Sequence, residues 1–367
     1  MVQNEKAAAD WNIELMSVTL EVSHAETSPL KLLALLKQPC MVVTLEVSHL
    51  DTSPLNELAL SNMDCAAHVR ALVRALEKAD TGKVLGWRSS DLDLRDRAAT
   101  FDAINEAKPD VVIDAAARVG GIMANSTYPV DFLQDNLLIQ TNVMDAAHIA
   151  NVDRFLFLGS SCIYPRHATQ PIRESSLMTG PLEPTNQAYA MAKISGIYYI
   201  EAFRTQYGKR WISAMPTNLY GPHDNYSIQG GHVVPGLIHK CYLAKKNGTP
   251  FEVWGTGSPL RQFIYSGDLA ALTVWVLRSY DSTDPIILSV PEEKEVTIKD
   301  VALMIRDAME FKGEVKFLTD KADGQYKKTA SNEKLAGLRP DFQFTPMAEG
   351  LKKACDWFCE NYETCRK

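Results

Sequence analysis

The spacing of apolar residues changes several times along the 367-residue chain, and each change marks an element. Between His68 and Lys78 the apolar positions are 69, 72, 73 and 76, the repeat of a helix with one buried face. Gly82 stops it, and Lys83–Gly86 reads as a short strand. Asp91–Asp96 then caps a helix that runs to about Ala107, and Lys108-Pro109-Asp110 turns the chain into an apolar strand, Val111–Ala117. A long helix is expected over Asp131–Ala150, a buried strand over 154–159, a helix over 188–207 and a strand over Ile212–Met215. Strands alternating with helices of this length predict βαβ units, hence an α/β fold with a parallel sheet covered on both faces. Ligands in such sheets sit at the carboxyl ends of the strands. Ala115–Ala117, Ser160–Cys162 and Pro216–Leu219 all fall at such ends. After Gly221 the pattern loosens into loops and short elements, with helices at Val301–Ala308 and Met347–Tyr362, and is read as a smaller lobe over the cleft.

The first 63 residues do not follow this alternation. Met16–Leu30 recurs 25 residues later as Met41–Leu55, each copy holding a strand-like VTLEV, a Ser-Pro and a following Leu-Ala-Leu. Two copies are too few for a self-supporting solenoid. The organisation expected is an atypical extension over 1–63, a sheet domain over 64–225 and a mainly substrate-binding lobe over 226–367.

Composition narrows the class without naming it. With 46% hydrophobic and 23% charged residues the chain is that of an ordinary soluble globular protein. A net charge of -7 argues against a general nucleic-acid binder. No apolar run approaches the ~20 residues that span a bilayer. The N-terminus, with Glu5 and Asp10, lacks the pattern of a secretory signal, so a cytoplasmic location is expected. Seven cysteines form no tight framework, which suits free thiols in a reducing compartment. Cys355 and Cys359 share a helical face, but no further pair completes a zinc site, so no metal is expected.

The chemistry centres on Tyr189-Ala-Met-Ala-Lys193. Residues four apart share a helical face. A phenol titrates near ~10, and an ammonium one turn away makes its proton easier to give up. Such a pair can protonate a carbonyl oxygen while hydride reaches the carbon. A YxxxK spacing alone also occurs on ordinary surface helices. The buried strand Phe155–Leu158, ending at Gly159-Ser-Ser-Cys162, adds a hydroxyl that could share a substrate oxygen with Tyr189.

Taken together, Ala115-Ala-Ala-Arg-Val-Gly-Gly-Ile122, Leu158-Gly-Ser-Ser-Cys-Ile-Tyr-Pro165 and Leu182-Glu-Pro-Thr-Asn-Gln-Ala-Tyr-Ala-Met-Ala-Lys193 resemble the extended, sugar-nucleotide branch of the short-chain dehydrogenase/reductases. Pro216–Asn225, Trp254-Gly-Thr-Gly257 and Arg261–Tyr265 continue the likeness, which runs from about residue 69 to the C-terminus. Within that branch the strings are similar to the GDP-4-keto-6-deoxymannose epimerase-reductase family. The resemblance implies a Rossmann-like doubly wound sheet, NADP(H) as cofactor, a GDP-sugar as substrate and a homodimer through the helices at 131–150 and 188–207. It implies Ser160, Tyr189 and Lys193 as the reductase triad, and Cys162 and His232 as the groups that exchange protons during epimerisation. It also implies cofactor contacts at Arg88, Leu158, Gly159, Ser160, Ser161, Lys193, Pro216, Thr217, Asn218, Leu219 and His232. Substrate contacts fall on Lys240, Trp254, Arg261, Asp323 and Lys328, with Lys240 standing where many relatives have arginine. Taken alone, Cys162 is a small buried filler and His232 a loop histidine; only their surroundings say otherwise.

One stretch departs from the family pattern. Its GxxGxxG turn, which lets the backbone approach a pyrophosphate, would fall on Met63, Ala66 and Val69, and none is glycine. The first strand is also missing unless Met41–Val47 takes its place. Three readings follow: the epimerase-reductase with impaired cofactor binding, a GDP-sugar-binding relative without turnover, or another nucleotide-sugar epimerase or dehydratase.

Overall fold

The computed structural model describes residues 40–44, 64–78, 83–87, 91–321, 323 and 325–367. Its elements in chain order begin with β1 (Cys40–Thr44), α1 (Asp64–Lys78), β2 (Lys83–Trp87), α2 (Arg97–Ala107) and β3 (Val111–Asp114). Next come α3 (Ile122–Thr127), α4 (Pro129–Ile149), β4 (Arg154–Leu158), α5 (Gln187–Tyr207), β5 (Arg210–Pro216) and β6 (Asn218–Tyr220). The remainder comprises α6 (Val233–Asn247), β7 (Phe251–Trp254), β8 (Leu260–Arg261), β9 (Phe263–Tyr265), α7 (Ser266–Ser279) and β10 (Ile286–Leu288). It closes with β11 (Val296–Thr297), α8 (Ile298–Ala308), β12 (Val315–Leu318), α9 (Glu333–Leu338) and α10 (Met347–Glu360).

Six parallel strands form the main sheet in the order β10-β5-β4-β3-β1-β2. The chain leaves β1 in one direction to β2 and in the other to β3, so the topological switch, and with it the ligand crevice, lies there. The strand that fills the β1 slot comes from the second copy of the duplicated segment: Val42 pairs with Leu85 on one side and Val112 on the other. This is the substitution that the sequence left open for Met41–Val47. The remainder of 1–63, the first glycine position (Met63) and Arg88 lie outside the described residues.

Burial follows the residue pattern. In β4, Phe155 and Phe157 face a core shared with α2, α4 and α5, while Leu156 and Leu158 face α1 and α7, the period-two alternation of a strand covered on both sides. Val69, Leu72 and Leu76 of α1 are buried, as the helical period requires. Helix ends are chemically marked. Pro129 opens α4, Gly208 in the left-handed region (φ 65°) closes α5, and Thr297 and Asp300 form a capping box on α8. A third core, around Tyr226, Leu237, Phe251, Ile305 and Phe358, joins α6, β7, α8 and α10 into the smaller lobe. The texture after Gly221 hides one return to the sheet, because α7 and β10 complete its second face and one edge. The strand expected over 111–117 ends at Asp114, and Ala115–Ala117 continue without ladder pairing. No helix among the described residues is long and apolar enough to cross a membrane.

Candidate functional site

The strand ends expected to hold a ligand converge on one cleft of about 610 Å³. Ala115 and Ala117 line it from the end of β3, Leu158, Gly159, Ser160, Ser161 and Cys162 from the end of β4, and Pro216, Thr217, Asn218 and Leu219 from the end of β5 and the start of β6. Tyr189, Lys193 and His232 line it too, as do Arg261, Asp323 and Lys328 from the smaller lobe.

The wall after β3 is fixed by a buried asparagine. Asn136 of α4 accepts from the backbone N–H of Arg118 at 3.0 Å and donates to its carbonyl at 3.0 Å and to that of Phe132 at 2.7 Å. The Arg118 guanidinium is buried and paired with Asp135 at 2.6 Å and Asp131 at 3.1 Å. At the end of β4, Ser160 caps a short turn, its Oγ accepting from the Cys162 N–H at 3.3 Å. Burial pushes the Cys162 thiol up, while its contact with Ser160 and the charges of Lys328 and Lys193 pull it back. Lys193 is 2% exposed, and its Nζ donates to the Leu158 carbonyl at 3.0 Å. Tyr189, one turn earlier, meets the edge of Phe132 with ring centroids 6.5 Å apart. His232 is exposed and forms the N-cap residue of α6.

Across the cleft, Arg261 donates to the backbone carbonyls of Leu260 and Gln325, at 2.7 and 2.6 Å. Burial lowers its affinity for the proton, with Glu295 opposing. Lys328 is lowered by burial as well, Cys162 and Glu183 opposing. The Asp323 carboxylate accepts from the N–H and Oγ1 of Thr256, both at 2.7 Å. That contact requires the glycine at 255. Its φ is 82°, and a Cβ would stand 2.1 Å from Asp323 Oδ1. Gln262 ties the strand ends together: its side chain donates to the carbonyls of Val290 and Ala330, at 2.9 and 3.0 Å, and accepts from the Ala330 N–H at 2.7 Å.

Two expected substrate residues stand apart. Lys240 and Trp254 are not in the cleft lining; the ammonium lies 3.7 Å from the indole centroid, and burial lowers Lys240 to about 8. Residues given no chemical role from the sequence also reach the cleft, among them Asn125, Glu183, Thr185, Asn186 and Gln262. Most sit inside the quoted motif strings, but the side chains, four neutral amides or hydroxyls and one carboxylate, carried no signal of their own.

A phenol and a buried ammonium one turn apart on α5, lining one cleft with a strand-end hydroxyl at the carboxyl edge of a doubly wound sheet, are the groups of a reductase of the short-chain dehydrogenase type. The chain belongs to the NAD dependent epimerase/dehydratase family, whose model matches residues 66–290. Within it, the chain is similar to GDP-L-fucose synthases. It is 50% identical to that of Dictyostelium discoideum over 280 residues, 76% of this chain and 88% of that protein. It is 40% identical to that of Escherichia coli (strain K12) over 305 residues, 81% of this chain and 94% of that one. A GDP-L-fucose synthetase from Naegleria fowleri, solved bound to NADP, superposes with a TM-score of 0.80 at 37% identity, covering 91% of this chain and 98% of that one.

Proposed function

We propose that the protein converts GDP-4-keto-6-deoxy-D-mannose to GDP-L-fucose, inverting C3 and C5 and then reducing C4 with NADPH. The observation that carries this reading is that Ser160, Cys162, Tyr189, Lys193 and His232 line one cleft. A reductase needs only a phenol, an ammonium and a hydroxyl; the added thiol and imidazole supply the acid and base that epimerisation requires.

The residues fit a nicotinamide cofactor at this end of the cleft. Ala115 and Ala117 at the end of β3 and Gly159 at the end of β4 bring no bulky side chains to the strand ends, and Lys193, Ser160 and Thr217 offer donors beside them. When bound, that cofactor supplies hydride. The chain's own groups do the rest. Hydrogens on C3 and C5 are acidic because an enolate spreads its charge onto the C4 oxygen. Cys162 and His232, with reference pKa values of ~8.5 and ~6.5, take a proton from one face of each carbon and return one to the other. Tyr189 and Ser160 hold the C4 oxygen through the enolate stage. In the reduction Tyr189 gives its proton to that oxygen, and the Lys193 charge stabilises the phenolate left behind. Arg261 and Lys328 supply positive charge for the diphosphate.

The same reading includes a homodimer in the cytoplasm. Val130 and Ile149 of α4 and Tyr198 and Tyr207 of α5 are exposed apolar residues, which suits pairing through those helices. The described thiols Cys162, Cys241, Cys355, Cys359 and Cys365 are free, which suits a reducing compartment. The similarity to GDP-L-fucose synthases weighs against both the non-catalytic reading and a different nucleotide-sugar reaction.

The test is to supply purified protein with the 4-keto sugar nucleotide and NADPH, follow cofactor oxidation and identify the product. Tyr189→Phe is expected to lower reduction by about 100-fold or more while GDP-sugar still binds. Full activity in that variant, or no NADPH consumption by the unaltered protein, refutes the reading.

A further inference from the structure

The Lys193 ammonium has two contacts on β4 that fix where it stands. Its Nζ donates to the Leu158 carbonyl at 3.0 Å and lies 4.6 Å from the centroid of the Phe157 ring. A cation over an aromatic face is held by the ring quadrupole, more strongly when both are out of water. The ring is itself held, because its outer edge rests in the space where residue 196 has no side chain. A Cβ on Gly196 would stand 2.6 Å from Phe157 Cζ, 2.7 Å from Cε1 and 3.0 Å from Gln140 Oε1. Phe157 is fully buried within a packed core, so its ring has no free volume to retreat into. Gly196 lies three residues after Lys193 on α5, on the same side of the helix. Gln140 of α4 pins that turn, its Nε2 donating to the Ala192 carbonyl at 2.7 Å and to Ser195 Oγ at 3.1 Å. The turn that carries Lys193 is thus clamped between α4 and β4, and the clamp closes only over a residue without a Cβ.

We propose that Gly196 and Phe157 are positioning residues for the reduction: the bare backbone at 196 lets the Phe157 ring lie against the Lys193 ammonium and keep it beside Tyr189. Neither residue lines the cleft. This rests on the reading of Tyr189 and Lys193 as the reductive pair. A methyl group at 196 cannot share space with the ring edge, so the ring must leave its place against the ammonium. Leucine at 157 removes the ring face and with it that anchor of the ammonium. In both cases the positive charge stands less firmly beside the phenol, the phenolate loses support, and the phenol becomes a weaker acid. The other ionisable groups of the cleft are Cys162, Arg166, Glu183, His232, Arg261, Asp323 and Lys328, and all stay unchanged in these variants.

The experiment is an ultraviolet difference titration of full-length protein, each form measured against the same form carrying Tyr189→Phe, so that only the Tyr189 phenol is read. Gly196→Ala and Phe157→Leu are expected to raise its midpoint by about one unit, a third or more of what a neighbouring charge typically supplies. The alkaline limb of the reduction rate should move upward with it. Ile200→Val, a buried change one turn further along α5, is expected to lower thermal stability and leave the midpoint in place. Unchanged midpoints in both folded variants, or an equal shift in Ile200→Val, overturn the proposal. Should Gly196→Ala fail to fold, Phe157→Leu decides alone. Persistent reduction by Tyr189→Phe refutes the functional reading instead, and is seen separately from any midpoint shift.

Discussion

Asn136 offers the sharpest test of how the cleft wall is built. Replacing it with alanine removes three hydrogen bonds at once, two of which serve the backbone N–H and carbonyl of Arg118. Asn136 is 1% exposed and Arg118 3%, so water cannot easily take over. Each orphaned backbone group costs about 1–3 kcal/mol. The third bond, to Phe132, weighs less, because it adds to a carbonyl that lies within α4. The two backbone groups alone sum to a loss of roughly 2–6 kcal/mol, a large part of the 5–15 kcal/mol that holds a typical native state. Urea unfolding should show the midpoint falling with the slope unchanged. Ala117 and Val119–Ile122, which line the cleft on either side of Arg118, hang from this clamp, so GDP-sugar affinity should fall too. Asn136→Asp separates donor from acceptor loss. Its carboxylate still accepts from Arg118 but faces two carbonyl oxygens, so its folded pKa is raised. The folded state then binds the extra proton, and stability is lost as pH rises through that pKa and recovered below it. A loss under about 1 kcal/mol for Asn136→Ala would mean that the wall is anchored elsewhere.

Two further outcomes are expected. Cys162→Ser should suppress exchange of solvent deuterium into C3 and C5 of the substrate, because a hydroxyl is far too weak an acid to form the anion near neutrality; unchanged exchange, read by NMR, removes Cys162 from that role. Lys240 lies outside the cleft lining, stacked on Trp254 and depressed to about 8 by burial; if the pair contacts the nucleotide as the family resemblance implies, GDP affinity measured by calorimetry should weaken as pH rises through about 8, where the charge is lost. Lys240→Arg should abolish that limb, and an identical profile in the arginine variant contradicts the assignment.

Much of the sheet was legible because its strands are short apolar runs punctuated by Gly, Pro and Asp. The buried run at 154–158 and the helix at 187–207 appear within a residue or two of expectation. β10, only Ile286–Leu288, is too short to carry a period and is defined by pairing with β5. The Tyr189–Lys193 pair was legible because helical spacing alone places both groups. Cys162 carried no such signal in its residue type, which suggests core filler; the motif string around it marked it, and the structure sets it beside the Ser160 turn and near Lys193 and Lys328. Gly196 was equally silent, since a glycine within a helix signals cost and its use lies in a partner 39 positions away in sequence, Phe157.

Gln262 belongs to no strand of the main sheet and yet fastens three stretches of chain. Through its side chain the loop after β10 and the peptide at Ala330 are lashed to one point, and its own carbonyl receives Asn218 at 3.0 Å. The amine at Lys328 therefore rides only two residues from a mooring. If the mouth narrows around a nucleotide sugar, this stretch behaves as the fixed jaw, and the travel must come from chain further from the knot.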